Sequence, residues 1–307
     1  MFSTKNLNKE LMGEGTALRS RLRFIIRGWL IMSENLLNEM ENERKQQKVM
    51  QRIRGFRLMD DEFMSACLKE NKPAANRILG IILNKSDIEV TKVETQVELK
   101  NLRGRSIRLD VRARDKDGVY NCEIQRADKG ATPRRARFHG SMLDSDESTK
   151  GMLFEDLPET YVIFITEKDY FEKGKPIYRF ERYCHETDMD LNDGLHIIYV
   201  NGEYKGEDDI GWLMHDFLCT NADDLHYTEI AESFRYLKEE EAGVKKMCRS
   251  IEEMLEENAK EVAEMKTLEF AKRMIERNKY SLEDISECTG LSIEEVTKLD
   301  AEFKGKN

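Results

Sequence analysis

The chain has 307 residues, 36% charged and 39% hydrophobic, with 4 Pro and 18 Gly. This composition excludes collagen-like and membrane-embedded proteins, and the steady recurrence of aliphatic and aromatic residues excludes a disordered chain. The formal net charge of -10 hides a split, because residues 1–137 hold 29 basic and 19 acidic side chains and residues 138–307 hold 21 and 41, so one half can face a polyanion that the other repels.

Residues 1–57 read as a basic, amphipathic helical arm. The opening MFSTKNLNKELMGEG has no basic stretch leading into an apolar one. The most apolar runs, 24–32 and 161–165, fall short of the roughly 18 residues that a spanning helix needs. A cytoplasmic protein with no membrane contact is the expectation. Asp60 is read as the N-cap of a short helix with Phe63, Ala66 and Cys67 at helical spacing. Asn71-Lys72-Pro73 ends that helix and starts a second one carrying Ile78, Leu79, Ile82 and Leu83. The period then changes, and strands are expected at 87–99, 106–114 and 119–125, with Asp117-Gly118 as the loop of a hairpin between the last two.

Pro133 opens a helix reaching about Leu143, and YVIFIT (161–166) and LHIIYV (195–200) have the pattern of strands covered on both faces. Long helices are expected over 229–279. Residues 281–296 have helix, glycine turn, helix spacing, with Ile285, Leu291 and Val296 as their core. Glu294 and Glu295 would lead the second of these helices, which suits a packing or dimer module better than DNA reading. The Glu-rich helices before it are candidates for pairing between subunits. The six cysteines (67, 122, 184, 219, 248, 288) show no two-residue spacing and read as reduced, mostly buried thiols. His185, His196, His215 and His226 lack metal-ligand spacing or a nucleophile partner, and Gly13-Glu14-Gly15 is no phosphate loop.

Chemistry concentrates in the hairpin. Alternation puts Asp110 on the polar face of its strand between Arg108 and Arg112, and puts Glu123 and Gln125 together on the next. With Asp117-Gly118 as the loop, Asp110 stands opposite Gln125 and diagonal to Glu123, at a backbone separation of about 7–8 Å. Two carboxylates on one hairpin, with a carbonyl such as that of Ile124, form an oxygen site suited to Mg2+ or Mn2+. A cation there would activate water and neutralise charge on a phosphodiester. On the letters alone, the same acids would equally serve a solvated sheet face.

The order helix, three strands with Asp on the second and Glu-x-Gln on the third, then helix and apolar strand, resembles the PD-(D/E)XK nuclease superfamily. Within it, the likeness is to the Rpn-type recombination-promoting nucleases and PD-(D/E)XK family transposases. The segments that carry it are LMDDEF with LKENK (58–72), RLDVRARDKDGVYNCEIQ (108–125), PRRARFHGSMLDSD (133–146), YVIFIT, GKPIYRFER (174–182) and EEAGVKKMCRSIEEM (240–254). The resemblance implies a restriction-endonuclease-like α/β (α+β) core, with a mixed sheet flanked by helices, over residues 58–225. A basic N-terminal arm (1–57) would precede it and an acidic helical region (226–307) would follow. It also implies Asp110 and Glu123 as metal ligands for Mg2+, with Mn2+ able to substitute. Asp60 matches the acid of the first helix, Gln125 replaces the usual lysine, and Arg135 and Arg137 match phosphate-binding arginines. His139, two residues further on, is a lesser candidate for proton transfer.

The function so implied is a metal-dependent DNA endonuclease of recombination or mobile elements. An amide at position 125 can position water but brings no charge and is no general base. The alternative is therefore a nuclease fold retained for DNA binding or interaction with weak or lost cleavage. A third reading gives the functional role to the acidic helical half through oligomerisation.

Overall fold

The computed structural model describes residue 40 and residues 43–101, 104–126 and 130–304. Most of the expected N-terminal arm lies outside them; residues 43–55 form a helix, α1. The chain then turns into α2 (Asp61–Leu68) and α3 (Lys72–Leu83). Asn71 accepts a hydrogen bond from the amide of Ala74 and Pro73 sits in the first turn, so the break falls where cap chemistry puts it. Asp60 occupies the N-cap position of α2 without capping it, because its carboxylate is engaged elsewhere.

Three antiparallel strands follow: β1 (Lys92–Leu99), β2 (Ile107–Arg114) and β3 (Gly118–Gln125). The first is shorter than the alternation at 87–99 predicts, since the amide of Val90 is taken by the side chain of Asn76 instead of a strand partner. α4 (Pro133–Glu147) crosses to β4 (Glu159–Thr166), which lies parallel to β3. Next come β5 (Ile177–Phe180), a two-residue pair β6 (Tyr183–Cys184) and β7 (Met189–Asp190), and β8 (Leu195–Asn201). The mixed six-stranded sheet has the order β1-β2-β3-β4-β8-β5. β4 is buried from Thr160 to Thr166, as a central strand with helices on both sides must be.

α5 (Asp209–Leu218) and β5 were not foreseen in the sequence; both are too short for a strong periodic signal. α6 (Thr228–Glu239) packs on α2, with Phe234 edge-on to Phe63 at 4.8 Å. A second compact unit runs from Glu239. It contains α7 (Glu241–Arg277), α8 (Leu282–Thr289) and α9 (Ile293–Lys304), and one apolar cluster joins Met274 and Ile275 with Ile285, Val296 and Leu291. Among the described residues no helix is long and apolar enough to cross a membrane. The six cysteines are free thiols, but only Cys67 and Cys122 are buried, which corrects the expectation of a mostly buried set.

Candidate active site

The hairpin that carries the acids is fixed by Asp115. Its Oδ1 accepts from the amides of Asp117 (2.9 Å) and Gly118 (2.8 Å), and its Oδ2 accepts from the Tyr120 hydroxyl (2.8 Å). The loop is therefore Lys116-Asp117, closed by the Asp115 amide donating to the Gly118 carbonyl, and Arg114 stands opposite Val119. This corrects the predicted loop at Asp117-Gly118. Continued past Val111 and Cys122, the register brings Asp110 across from Glu123 rather than Gln125. The loop still has an even length, so the three polar side chains keep a common face. Gly118 is needed for space: a Cβ there would sit 2.8 Å from the Glu159 carbonyl on β4.

Regular pairing of β2 with β3 stops at Asp110. The Asp110 amide donates to Glu123 Oε1 (3.3 Å), and the Ile124 amide donates to Asp110 Oδ2 (2.9 Å). Side-chain carboxylates thus replace the backbone acceptors of the ladder, and each acid is held by the other strand. On the far side of β2 the ladder also skips a position, between Thr95/Val111 and Val97/Leu109. There Gln96 adopts φ 56°. A left-handed residue inside a strand costs on the order of 1 kcal/mol or more, and such outliers gather at functional sites. Gln96 Nε2 donates to Asp61 Oδ1 (3.0 Å) and Ser65 Oγ (2.8 Å), tying α2 to this break.

From above, α4 supplies the cation. Thr132 caps the helix by accepting from the Arg135 amide, which fixes the first turn over β3. Arg135 donates to Glu123 Oε2 (2.7 Å), Gln125 Oε1 (3.0 Å) and the Gly130 carbonyl (3.3 Å). Its guanidinium carbon lies 5.5 Å from the Phe164 ring centroid. Gly130 has no room for a Cβ against the Gln125 amide. One turn later His139 receives the Arg135 Nε–H at Nε2 (3.3 Å), and its Nδ1 lies 3.1 Å from Asn121 Nδ2 and 3.6 Å from Glu123 Oε1. Asn121 Oδ1 is buried without a hydrogen-bond partner.

Glu123 is fully buried. Burial raises the pKa of both acids. For Asp110 the charges of Glu123 and then Asp61 add to the rise; for Glu123 the Arg135 cation is the main opposing influence. Burial, with help from Arg135 and Arg105, lowers His139 to about 4, so the imidazole is neutral at pH 7.

The expected site residues are only partly gathered. Asp110, Glu123, Gln125 and Arg135 converge. Asp60 is buried nearby in a separate ion-pair group: its Oδ2 accepts from the Arg57 amide (2.8 Å), and Arg126 reaches its Oδ1 (2.8 Å). Its neighbour Asp61 is the α2 acid whose charge is felt by both Asp110 and Glu123. Arg137 is exposed, about 200° around α4 from Arg135. Sequence reasoning missed Asp61, Gln96 and Asn121 and set His139 aside; of these, only His139 carried a signal, its four-residue spacing from Arg135.

A family model described as PD-(D/E)XK nuclease family transposase matches residues 66–287. The chain belongs to this family. No curated protein and no solved structure matches it. Membership in the PD-(D/E)XK family raises the question of a divalent metal, and the donor set fits one. Asp110 and Glu123 bring two hard-oxygen donors together on backbone amides, where burial and, for Asp110, the charge of Glu123 raise the cost of ionising, and a divalent cation would favour their charged forms. Arg135 already offsets the Glu123 charge through Oε2.

Proposed function

We propose that the protein is a divalent-metal-dependent DNA endonuclease that hydrolyses phosphodiester bonds in recombination, transposition or mobile-element movement. The observation that carries this reading is the pair of carboxylates, half-buried Asp110 and buried Glu123, at the point where the β2–β3 ladder opens. Asp110 and Glu123 would hold Mg2+, with Mn2+ as a substitute, and the ion when bound lowers the pKa of water and offsets phosphodiester charge. Gln125 presents an amide that orients a water without taking its proton. Arg135, in contact with Gln125 and Glu123, would offer its guanidinium to a phosphate oxygen of the substrate.

Beside these residues, a cavity of about 700 Å3 is lined by Arg105, Arg108, Arg134, Arg135, Phe138 and His139. Its arginines suit a nucleic-acid backbone. Asp61, rather than Asp60, is assigned as the acid from α2; Asp60 orders Arg57 and Arg126 beside the site. Arg137, exposed on α4, contributes to DNA binding outside the cleavage point.

The test is nicking of supercoiled plasmid by wild type and Glu123→Ala, with Mg2+ and with chelator. Wild type should nick only with metal and the variant should be slower by roughly 10²–10³-fold. Equal nicking by both proteins would remove the site. A second reading has one observation in its favour: Gln125 stands where the resemblance expects lysine, and its amide is tied to Arg135. If wild type binds DNA but no metal supports nicking, the fold serves binding alone.

A further inference from the structure

On the far end of α5 lies a cluster that the proposed nuclease chemistry does not use. Linear spacing separated its histidines, but the fold brings them together: donor atoms of His215, Asp216 and His226 lie within 4.8 Å of one another. Asp216 is fully buried and built into the backbone, its oxygens accepting from the amides of His226 (2.9 Å to Oδ1) and Tyr227 (3.0 Å to Oδ2). Oδ1 faces two imidazoles, with His226 Nδ1 at 3.0 Å and His215 Nδ1 at 3.3 Å. Cys219, one helical turn past His215, places its Sγ 3.5 Å from His215 Nδ1. Trp212, one turn before Asp216, stacks on His226 at 6.0 Å and 12°.

Four tetrahedral ligands around zinc, at about 2.0–2.1 Å for nitrogen and oxygen and about 2.3 Å for sulfur, stand roughly 3.4–3.6 Å from one another. The Asp216–His226 and Asp216–His215 separations of 3.0 and 3.3 Å fall close to that frame, and Cys219 Sγ matches it against His215 at 3.5 Å while standing outside the mutually close trio. An Asp216 clasped by two amides fixes the loop from which His226 projects, the kind of preorganisation a metal site needs. His215 and His226 remain open to solvent at 47% and 43% of their side-chain surface, so an ion has access.

We infer that the chain carries a second metal site, held by His215, Asp216 and His226, with Cys219, beside His215, turning in as the fourth ligand, for zinc or a zinc-like transition ion. Imidazole and thiolate select such an ion over Mg2+, whereas the oxygen donors Asp110 and Glu123 select the reverse. On binding, the Cys219 thiol gives its proton to solvent and bonds as thiolate. The inference stands independently of the proposed nuclease activity.

The experiment is titration of the chelator-stripped full-length protein with Co2+ under reducing, anaerobic conditions, read by absorption. Wild type, Asp110→Ala and Glu123→Ala should each form roughly one equivalent of tetrahedral cobalt, seen by its visible bands and a sulfur-to-cobalt band in the near ultraviolet and displaced by Zn2+, whatever further Co2+ wild type takes up at Asp110 and Glu123. His226→Ala should bind at least about tenfold more weakly, as should His215→Gln, whose exposed side chain leaves folding intact. Cys219→Ser should lose the near-ultraviolet band. The site is overturned if wild type shows no tetrahedral spectrum, if His215→Gln titrates like wild type, or if Cys219→Ser keeps the sulfur band.

Discussion

At the head of α8, Ser281 and Asp284 exchange hydrogen bonds in a complete capping box, and Gly290 takes the left-handed turn at its end with φ 74°. The apolar residues of α7, α8 and α9 then close over one another. Around β2 the same local rules are broken. Gln96, not glycine, is left-handed inside a strand, regular pairing stops at Asp110, and a glutamate is fully buried. Sequences usually agree with their folds at every level, and departures concentrate where function requires them. Local order holds the C-terminal unit together, while the strain at Gln96 of β1 and the broken ladder of β2 and β3 lie beside the proposed site.

The largest expected effect would break that contrast if it failed. Glu123→Gln should reduce metal-dependent nicking by roughly 10²–10³-fold. In chelator, its thermal midpoint at pH 7 should be no lower than that of wild type. The raised pKa of Glu123 means that burial disfavours its charge more than Arg135 compensates. The neutral amide escapes that penalty. A carboxyl whose folded pKa is raised contributes stability that is lost as pH rises from its unfolded value through its folded one. A large drop in midpoint with nicking preserved would make Glu123 structural.

Much of this region was legible. Alternation alone put Asp110, Glu123 and Gln125 on one face, and Pro133 located the start of α4. The two-residue error in register arose because Asp115 captures the amides of Asp117 and Gly118, and a side-chain choice of that kind has no periodic signature. Asp60 and Asp61 are adjacent letters, and only the start of α2 decides which of them faces the acids. Asn121 was hidden because its partner His139 lies across a helix–sheet contact. The His215-x3-Cys219 spacing was present, but α5 was not recognised, so its one-face consequence was not drawn.

A smaller effect sharpens the comparison through pH. The folded chain keeps His139 neutral down to about 4, whereas an unfolded imidazole titrates near 6.5. Between those values the unfolded state takes up a proton that the folded state refuses. Stability present above 6.5 is therefore lost as pH falls towards 4, by on the order of 2–3 kcal/mol. His139→Gln should flatten that part of the curve of stability against pH, measured by urea unfolding in chelator. An unchanged slope would mean that the imidazole titrates alike in the folded and unfolded chain, and a steeper loss in the variant would mean that it is protonated in the fold and pairs with Glu123.

The smallest effect probes the orderly region. Ser281→Ala removes the acceptor for the Asp284 amide and breaks the capping box, which should cost about 1 kcal/mol. Gly290→Ala forces a Cβ into the left-handed turn, again at about 1 kcal/mol, although nothing lies within 4 Å to collide with it. Both losses should appear in the unfolding of the α7–α9 unit, with plasmid nicking unchanged. If either substitution slows nicking as Glu123→Gln does, the helical unit takes part in the chemistry, and the contrast between an ordered support and the proposed site falls.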